Sequence, residues 1–257
     1  VRAQLDTGIE LVSDGQTRGG MIEIFTNGLR GFRTKKRIEI VNEIEFKKPI
    51  ILSDQHLTKE ILPENVGLKG ILTGPVTLIE SCDDLYYQDT KDAVLDSAEA
   101  LHEEAKHLAD ICDVIQMDEP FLSNHFPEYA QDAVETVLDI DIPTALHVCG
   151  DIRDNIGNLI EFDVDILDHE FASNPGLYEA YEEVDMEQKM AVGVVTTSPP
   201  AEEVNVIKKR IDKAIKVFET DIMIDPDCGL RNLDEETAWN KLKNLVMARD
   251  VVLNERG

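Results

Sequence analysis

Basic residues are scarce in this chain: 25 Lys and Arg stand against 52 Asp and Glu, a net charge of −27 over 257 residues. Such a surface repels nucleic-acid phosphates and anionic membranes, so neither is an expected partner. The carboxylate excess reads first as a solvated surface suited to salty surroundings. Long apolar runs are missing too. With 42% hydrophobic and 30% charged residues, no stretch approaches the length of a membrane span, and no signal peptide is evident. The four cysteines, Cys82, Cys112, Cys149 and Cys228, show no close CxxC spacing and do not form a disulfide framework, which points to a reducing cytoplasm. No Pro/Gly/Ser-rich linker divides the chain, so residues 1–257 are expected to form one domain. A glycine-rich dinucleotide fingerprint is also absent, which removes the best support for a Rossmann fold.

What is present is a repeated alternation of apolar strand-like runs and amphipathic stretches. Residues 1–5 read as the tail of a helix and 9–12 as a strand, an opening that leads us to expect a further segment upstream. A helix over 21–32 and an exposed hairpin over 37–46 look like an insertion in a βα loop. A strand over 67–74 follows, and Thr73-Gly74-Pro75 opens a short helix. Between Lys91 and Cys112, the residues Val94, Ala98, Leu101, Ala105, Leu108 and Cys112 recur at helical spacing. Cys112 therefore has a core role, and His102 and His107 are expected on the surface. Strands at 114–117, 144–148, 164–169, 190–195 and 221–224 alternate with further helices, the last two at 201–218 and 234–253. Seven parallel-type strands, each followed by a helix, predict an α/β fold: a (β/α)8 TIM barrel whose first strand would lie upstream of residue 1, with an open doubly wound sheet as the alternative.

In such a barrel the chemistry sits at the carboxyl ends of the strands. Those ends carry Asp14, Thr73-Gly74-Pro75, Asp118-Glu119-Pro120, His147-x-Cys149, Asp168-His169-Glu170, Thr196-Thr197-Ser198 and Asp225-Pro226-Asp227-Cys228. His147, Cys149, Glu170 and Cys228 supply an imidazole, two thiolates and a carboxylate, which is a zinc ligand set. Two thiolates favour Zn2+ over magnesium or calcium. His169 is the rival of Glu170, and inert core thiols at Cys149 and Cys228 are the bland alternative. Zinc bearing two thiolates is suited to lowering the pKa of a substrate thiol while leaving it nucleophilic, with the carboxylate as the displaceable ligand. The implied reaction is alkyl transfer to sulfur.

These residues resemble the catalytic carboxyl-terminal domain of cobalamin-independent methionine synthase. The resemblance runs through Ser13-Asp14-Gly15-Gln16, Leu72-Thr73-Gly74-Pro75-Val76-Thr77, Met117-Asp118-Glu119-Pro120, His147-Val148-Cys149, Glu170 and Asp225-Pro226-Asp227-Cys228-Gly229-Leu230. It implies a (β/α)8 barrel with zinc on His147, Cys149, Glu170 and Cys228, and homocysteine as the thiol, methylated to methionine. It also implies that Asp118 holds the homocysteine amino group together with Gln16, where the family has a glutamate; Gln keeps an acceptor but loses the charge. Other departures concern the donor. The tryptophan that stacks on the folate pterin aligns with Ser81, an Arg-Cys pair near the folate aligns with Ile44-Glu45, and the histidine that protonates the departing folate aligns near Ser198, here expected to cap the following helix. A methylcorrinoid, whose cobalt departs without a proton, fits these losses, and the chain resembles the short core-only archaeal members of the family, for which such a donor is what the resemblance suggests. A corrinoid protein is then the expected partner. Corrinoid-linked methyltransferases related to uroporphyrinogen decarboxylase share a His-x-Cys-Gly-Asp stretch and act on other thiols such as coenzyme M, which makes them the rival resemblance; a non-catalytic zinc-binding barrel is the reading from another class.

Overall fold

Apolar alternation and helical stripes translate into a nearly regular series of strands and helices in the computed structural model, which describes residues 1–218 and 221–256. Helix α1 (Arg2–Thr7) leads into the two-residue strand β1 (Leu11–Val12) and then α2 (Met21–Gly28). The expected helix over 21–32 stops early because Gly31 takes φ +93°, where its carbonyl accepts the Val41 N–H. Phe32 therefore opens a strand. The hairpin forms from β2 (Phe32–Thr34) and β3 (Ile38–Ile40), one arm earlier than the expected 37–46.

After α3 (Leu52–Lys59), strand β4 (Gly67–Thr73) ends at Gly74, and Pro75 starts α4 (Pro75–Glu80), the position where a missing N–H costs nothing. Strand β5 (Asp83–Asp84) joins β3 to complete a small accessory sheet. The Asp89 side chain accepts the Lys91 N–H and so caps α5 (Thr90–Ala109). Its stripe Val94, Ala98, Leu101, Ala105 and Leu108 is fully buried, as the spacing predicts. Each large apolar side chain there stabilises by about 1.5–3 kcal/mol, so Leu101→Ala would leave a costly cavity.

The remainder alternates: β6 (Val114–Asp118), α6 (Ala130–Leu138), β7 (Thr144–His147), α7 (Ile156–Leu159), β8 (Ile166–His169), α8 (Gly176–Tyr181), β9 (Lys189–Val195), α9 (Val204–Phe218), β10 (Met223–Pro226) and α10 (Glu235–Arg256). Seven strands hydrogen-bond in the order β1-β4-β6-β7-β8-β9-β10, all parallel. This is the wall of the expected barrel. Between the end strands of this order, β1 and β10, lies an apolar slot of about 390 Å3 lined by Ile9, Leu11, Ile222, Met223 and residues of α9 and α10.

Strand parity sorts the side chains into two sets. One packs outward on the helices to form the main core. The other points inward, where Val114, Ala145, Ile166 and Ala191 make an apolar layer with Leu11 and Met223. Two residues further along the same strands the inward positions become polar, at Gln116, His147, Asp168 and Asp225, with Asp118 two beyond Gln116. Parity thus carries each strand from a hydrophobic floor to a chemical end.

Candidate active site

His147 is the last residue of β7, flanked in register by Asp118 on β6 and Asp168 on β8. Cys149 lies two residues past the strand rather than in it, so loop geometry, and not strand parity, brings it to the imidazole. The imidazole is buried, with Nδ1 3.2 Å from the Asp168 carboxylate and Nε2 without a hydrogen-bond partner. Burial, the largest single influence, pulls the His147 pKa down, but the Asp168 charge, its hydrogen bond and the nearby Cys149 and Cys228 thiols together outweigh it, and the pKa ends well above its ordinary value. Asp168 correspondingly titrates low: burial raises it and the paired imidazole lowers it further.

Glu170 follows β8 directly. Its carboxylate accepts the Gly150 N–H at 2.9 Å and an Asn174 amide N–H at 3.4 Å. His169, the rival ligand, points the other way: it is fully buried among the helices, with Nδ1 3.1 Å from the Val148 carbonyl and its ring stacked on Tyr181. Parity therefore favours Glu170. Cys228, two residues past β10, is exposed, and Cys149 is half-buried. The other two thiols differ in kind, since burial pushes Cys82 up to about 11 and Cys112 up to about 12. Cys112 packs against Gly70 in the core, as expected.

Among the described residues, no three His, Cys, Asp or Glu side chains converge closely enough as placed to hold an ion. Two features nevertheless fit a metal. A buried imidazole nitrogen with no partner costs free energy unless something occupies it, and a carboxylate on the opposite ring nitrogen is the arrangement that orients a ligating histidine. The Glu170 carboxylate, the fourth expected ligand, is held by the Gly150 N–H.

Asp118 ends β6. Its Oδ1 accepts from the Gln116 amide at 2.8 Å, and burial raises its pKa. Gln16 sits after β1 with φ +47°, its Nε2 donating to the Ile71 carbonyl of neighbouring β4 at 3.2 Å. Both therefore reach the same end of the sheet. Two acids beside them proved to be backbone clamps that sequence reasoning missed. Glu119, pushed by burial up to about 7, accepts the N–H groups of Val76 and Thr77 and rests against Gly74, where a Cβ would fall 2.2 Å from its carboxyl carbon. Asp227 accepts those of Ala172 and Ser173 and rests against Gly193, where a Cβ would come within 2.5 Å of its Oδ1. Asp168 was also missed as the partner of His147, although its place two residues before Glu170 puts it on the same face.

The positions aligned with donor contacts have local duties. Ser81 Oγ donates to the Thr77 carbonyl, Ile44 is buried, and Glu45 pairs with Arg30 at 3.1 Å. Ser198 is exposed, and α9 starts only at Val204, so the expected capping role is not met. His102 and His107 are half-buried packing residues rather than surface ones, His107 lying against Phe46. A hollow of about 1450 Å3 lies at the amino ends of β7, β8 and β9, away from all these groups.

The family model described as the catalytic domain of cobalamin-independent synthase matches residues 1–250. The chain belongs to this family. It is similar to the methionine synthase of Methanocaldococcus jannaschii, 40% identical over 98% of this chain and 87% of that protein. It is also similar to the methionine synthase of Methanothermobacter marburgensis, 38% identical over 96% of this chain and 86% of the other. A B12-independent methionine synthase from Shewanella sp. W3-18-1, solved with selenomethionine, shares the fold with a TM-score of 0.87 at 24% identity, over 99% of this chain and 85% of that one. As a member of this family the chain is an enzyme, a methyltransferase of the methionine synthase type.

Proposed function

We propose that this enzyme is a zinc-dependent methyltransferase that methylates homocysteine to methionine with a methylcorrinoid as donor, working in the cytoplasm with residues 1–257 as one barrel unit. The observation that carries the reading is the buried His147 imidazole, backed by Asp168 on one nitrogen and unpartnered on the other, with two thiols beside it. His147, Cys149, Glu170 and Cys228 would hold the metal. When bound, zinc on two thiolates supplies thiol acidification without strongly quenching sulfur nucleophilicity.

The chain's own residues do the rest. Asp118 offers a carboxylate to the homocysteine ammonium, a charge-assisted contact, while the Gln16 Oε1 accepts without adding charge. Glu170 would be the ligand that yields to the substrate sulfur, and the Gly150 N–H, 2.9 Å from its carboxylate, gives it a hydrogen-bond partner that needs no metal. Methyl then passes to that sulfur, and the bonding pair stays with the departing corrinoid, which requires no proton. The exposed Ser198, and Ser81 engaged on its own helix, support a donor that needs neither a general acid nor an aromatic platform. A corrinoid protein would present the donor.

The test compares methylcobalamin with methyltetrahydrofolate as donor and homocysteine with coenzyme M as acceptor, on zinc-loaded protein. Transfer from methylcobalamin to homocysteine is expected, and loss of both zinc and activity in the Cys149→Ala, Cys228→Ala double variant. Turnover with the folate alone overturns the donor assignment, transfer to coenzyme M alone overturns the acceptor, and zinc undiminished in the double variant overturns the ligand set.

A further inference from the structure

We propose that Lys69 is a positioning residue that sets the homocysteine-binding carboxylate of Asp118 by acting through Gln116. The proposal rests on the function proposed above and adds two residues to its amino-acid pocket. Lys69 lies on β4 and Gln116 and Asp118 on β6, all three on the inward face of the barrel wall. The Lys69 Nζ donates to the Gln116 Oε1 at 2.6 Å, and the Gln116 Nε2 donates to the Asp118 Oδ1 at 2.8 Å.

The order of donors in this chain is forced. An ammonium can only donate, so the amide oxygen must face Lys69, and the amide NH2 must face Asp118. Gln116 is only 6% exposed, so water cannot replace either bond cheaply. One carboxylate oxygen of Asp118 is thereby fixed, which presents the other to an ammonium. Lys69 makes no hydrogen bond to Asp118 itself; its charge acts on that carboxylate across space, and its positioning effect passes through an amide whose two ends differ. Its other flank borders the slot between β1 and β10, which leaves room for a larger cation at the same place.

The experiment is a double-mutant cycle on the zinc-loaded enzyme, with Lys69→Met, Gln116→Leu and both together, read by calorimetric homocysteine binding, the KM and kcat of methyl transfer, and zinc content. Each single variant is expected to bind homocysteine about ten-fold more weakly, the size of a lost hydrogen bond to a charged group. kcat and zinc content should stay within about two-fold, a split that a general loss of structure would not produce. The double variant should bind little more weakly than Gln116→Leu, far short of the product of the single losses, because most of what Lys69 does to Asp118 passes through the amide. Lys69→Arg should restore most of the binding. Losses that multiply to about a hundred-fold in the double variant, or wild-type binding in Lys69→Met, overturn the relay. If Lys69→Met fails to fold, Gln116→Glu, which sets a second carboxylate against Asp118, should weaken homocysteine binding by more than about ten-fold, and unchanged binding there also overturns it. Wild-type protein that binds zinc but no homocysteine overturns the functional reading itself, whereas wild-type binding with multiplying losses overturns the relay alone.

Discussion

Single side chains at the strand ends carry the chemistry, and their neighbours decide whether they can. Asp168 illustrates this. Its carboxylate sits 3.2 Å from the His147 Nδ1, so it fixes which ring nitrogen faces the thiols and makes that nitrogen a better donor. Asp168→Asn should weaken zinc affinity by about 10–100-fold, measured by competition with a chromophoric chelator, while the barrel still folds. Affinity equal to wild type would mean that His147 needs no carboxylate behind it. The ligand candidates themselves were legible in the sequence because they fall at strand ends, where function concentrates. Asp168, Lys69 and Gln116 were less so, since their meaning lies in contacts between strands far apart in the chain. Glu119 and Asp227 were read as parts of motifs, but nothing in a single sequence says that a buried acid spends both its oxygens on backbone N–H groups.

Among the elements, the junction of β9, α9 and α10 shows how the last helices are tied to the site end. Glu202 accepts from the Thr196 N–H and hydroxyl, both at 2.8 Å, from Arg210 at 3.3 Å and from Lys241 at 2.6 Å. Lys241 is fully buried on α10. Burial would raise the Glu202 pKa, but these partners lower it from 4.5 to about 2. Because the folded value lies below the unfolded one, the carboxylate's contribution is complete above about pH 4.5 and is lost as pH falls toward 2. Glu202→Gln should therefore cost about 3–5 kcal/mol near neutral pH, since it strands a buried ammonium, and should flatten the loss of stability between pH 4.5 and 2. Lys241→Met should cost less, because Glu202 keeps Arg210 and Thr196. Urea unfolding at both pH values checks this, and an equal cost for the two variants would contradict it. Element types and order were readable from periodicity, but boundaries moved where one residue's backbone intervened. Gly31 ended α2 early and moved the hairpin, and β7 closed at His147, leaving Cys149 to a loop.

Over the whole molecule, the net charge of −27 is the dominant feature that no single site explains. Like charges repel across a compact surface more than across an unfolded chain, and salt screens that repulsion over about 10 Å at 0.1 M but only about 3 Å at 1 M. Raising KCl from 0.1 to about 1 M should raise Tm, by about 2–4 °C for each kcal/mol of repulsion relieved. A flat or falling Tm in a thermal melt series would show that paired surface charges, such as Arg249 with Glu10, outweigh the net excess. The (β/α)8 architecture could be read at this scale because seven strand–helix units in sequence leave few topologies, and the slot between β1 and β10 marks where the sheet stays open. The central claim is that His147, Cys149, Glu170 and Cys228 form a site that takes a substrate thiol. X-ray absorption of the zinc-loaded enzyme, with and without homocysteine, tests it most directly. Two sulfur neighbours are expected without homocysteine and three with it, the third replacing an oxygen; coordination unchanged by homocysteine would contradict this assignment.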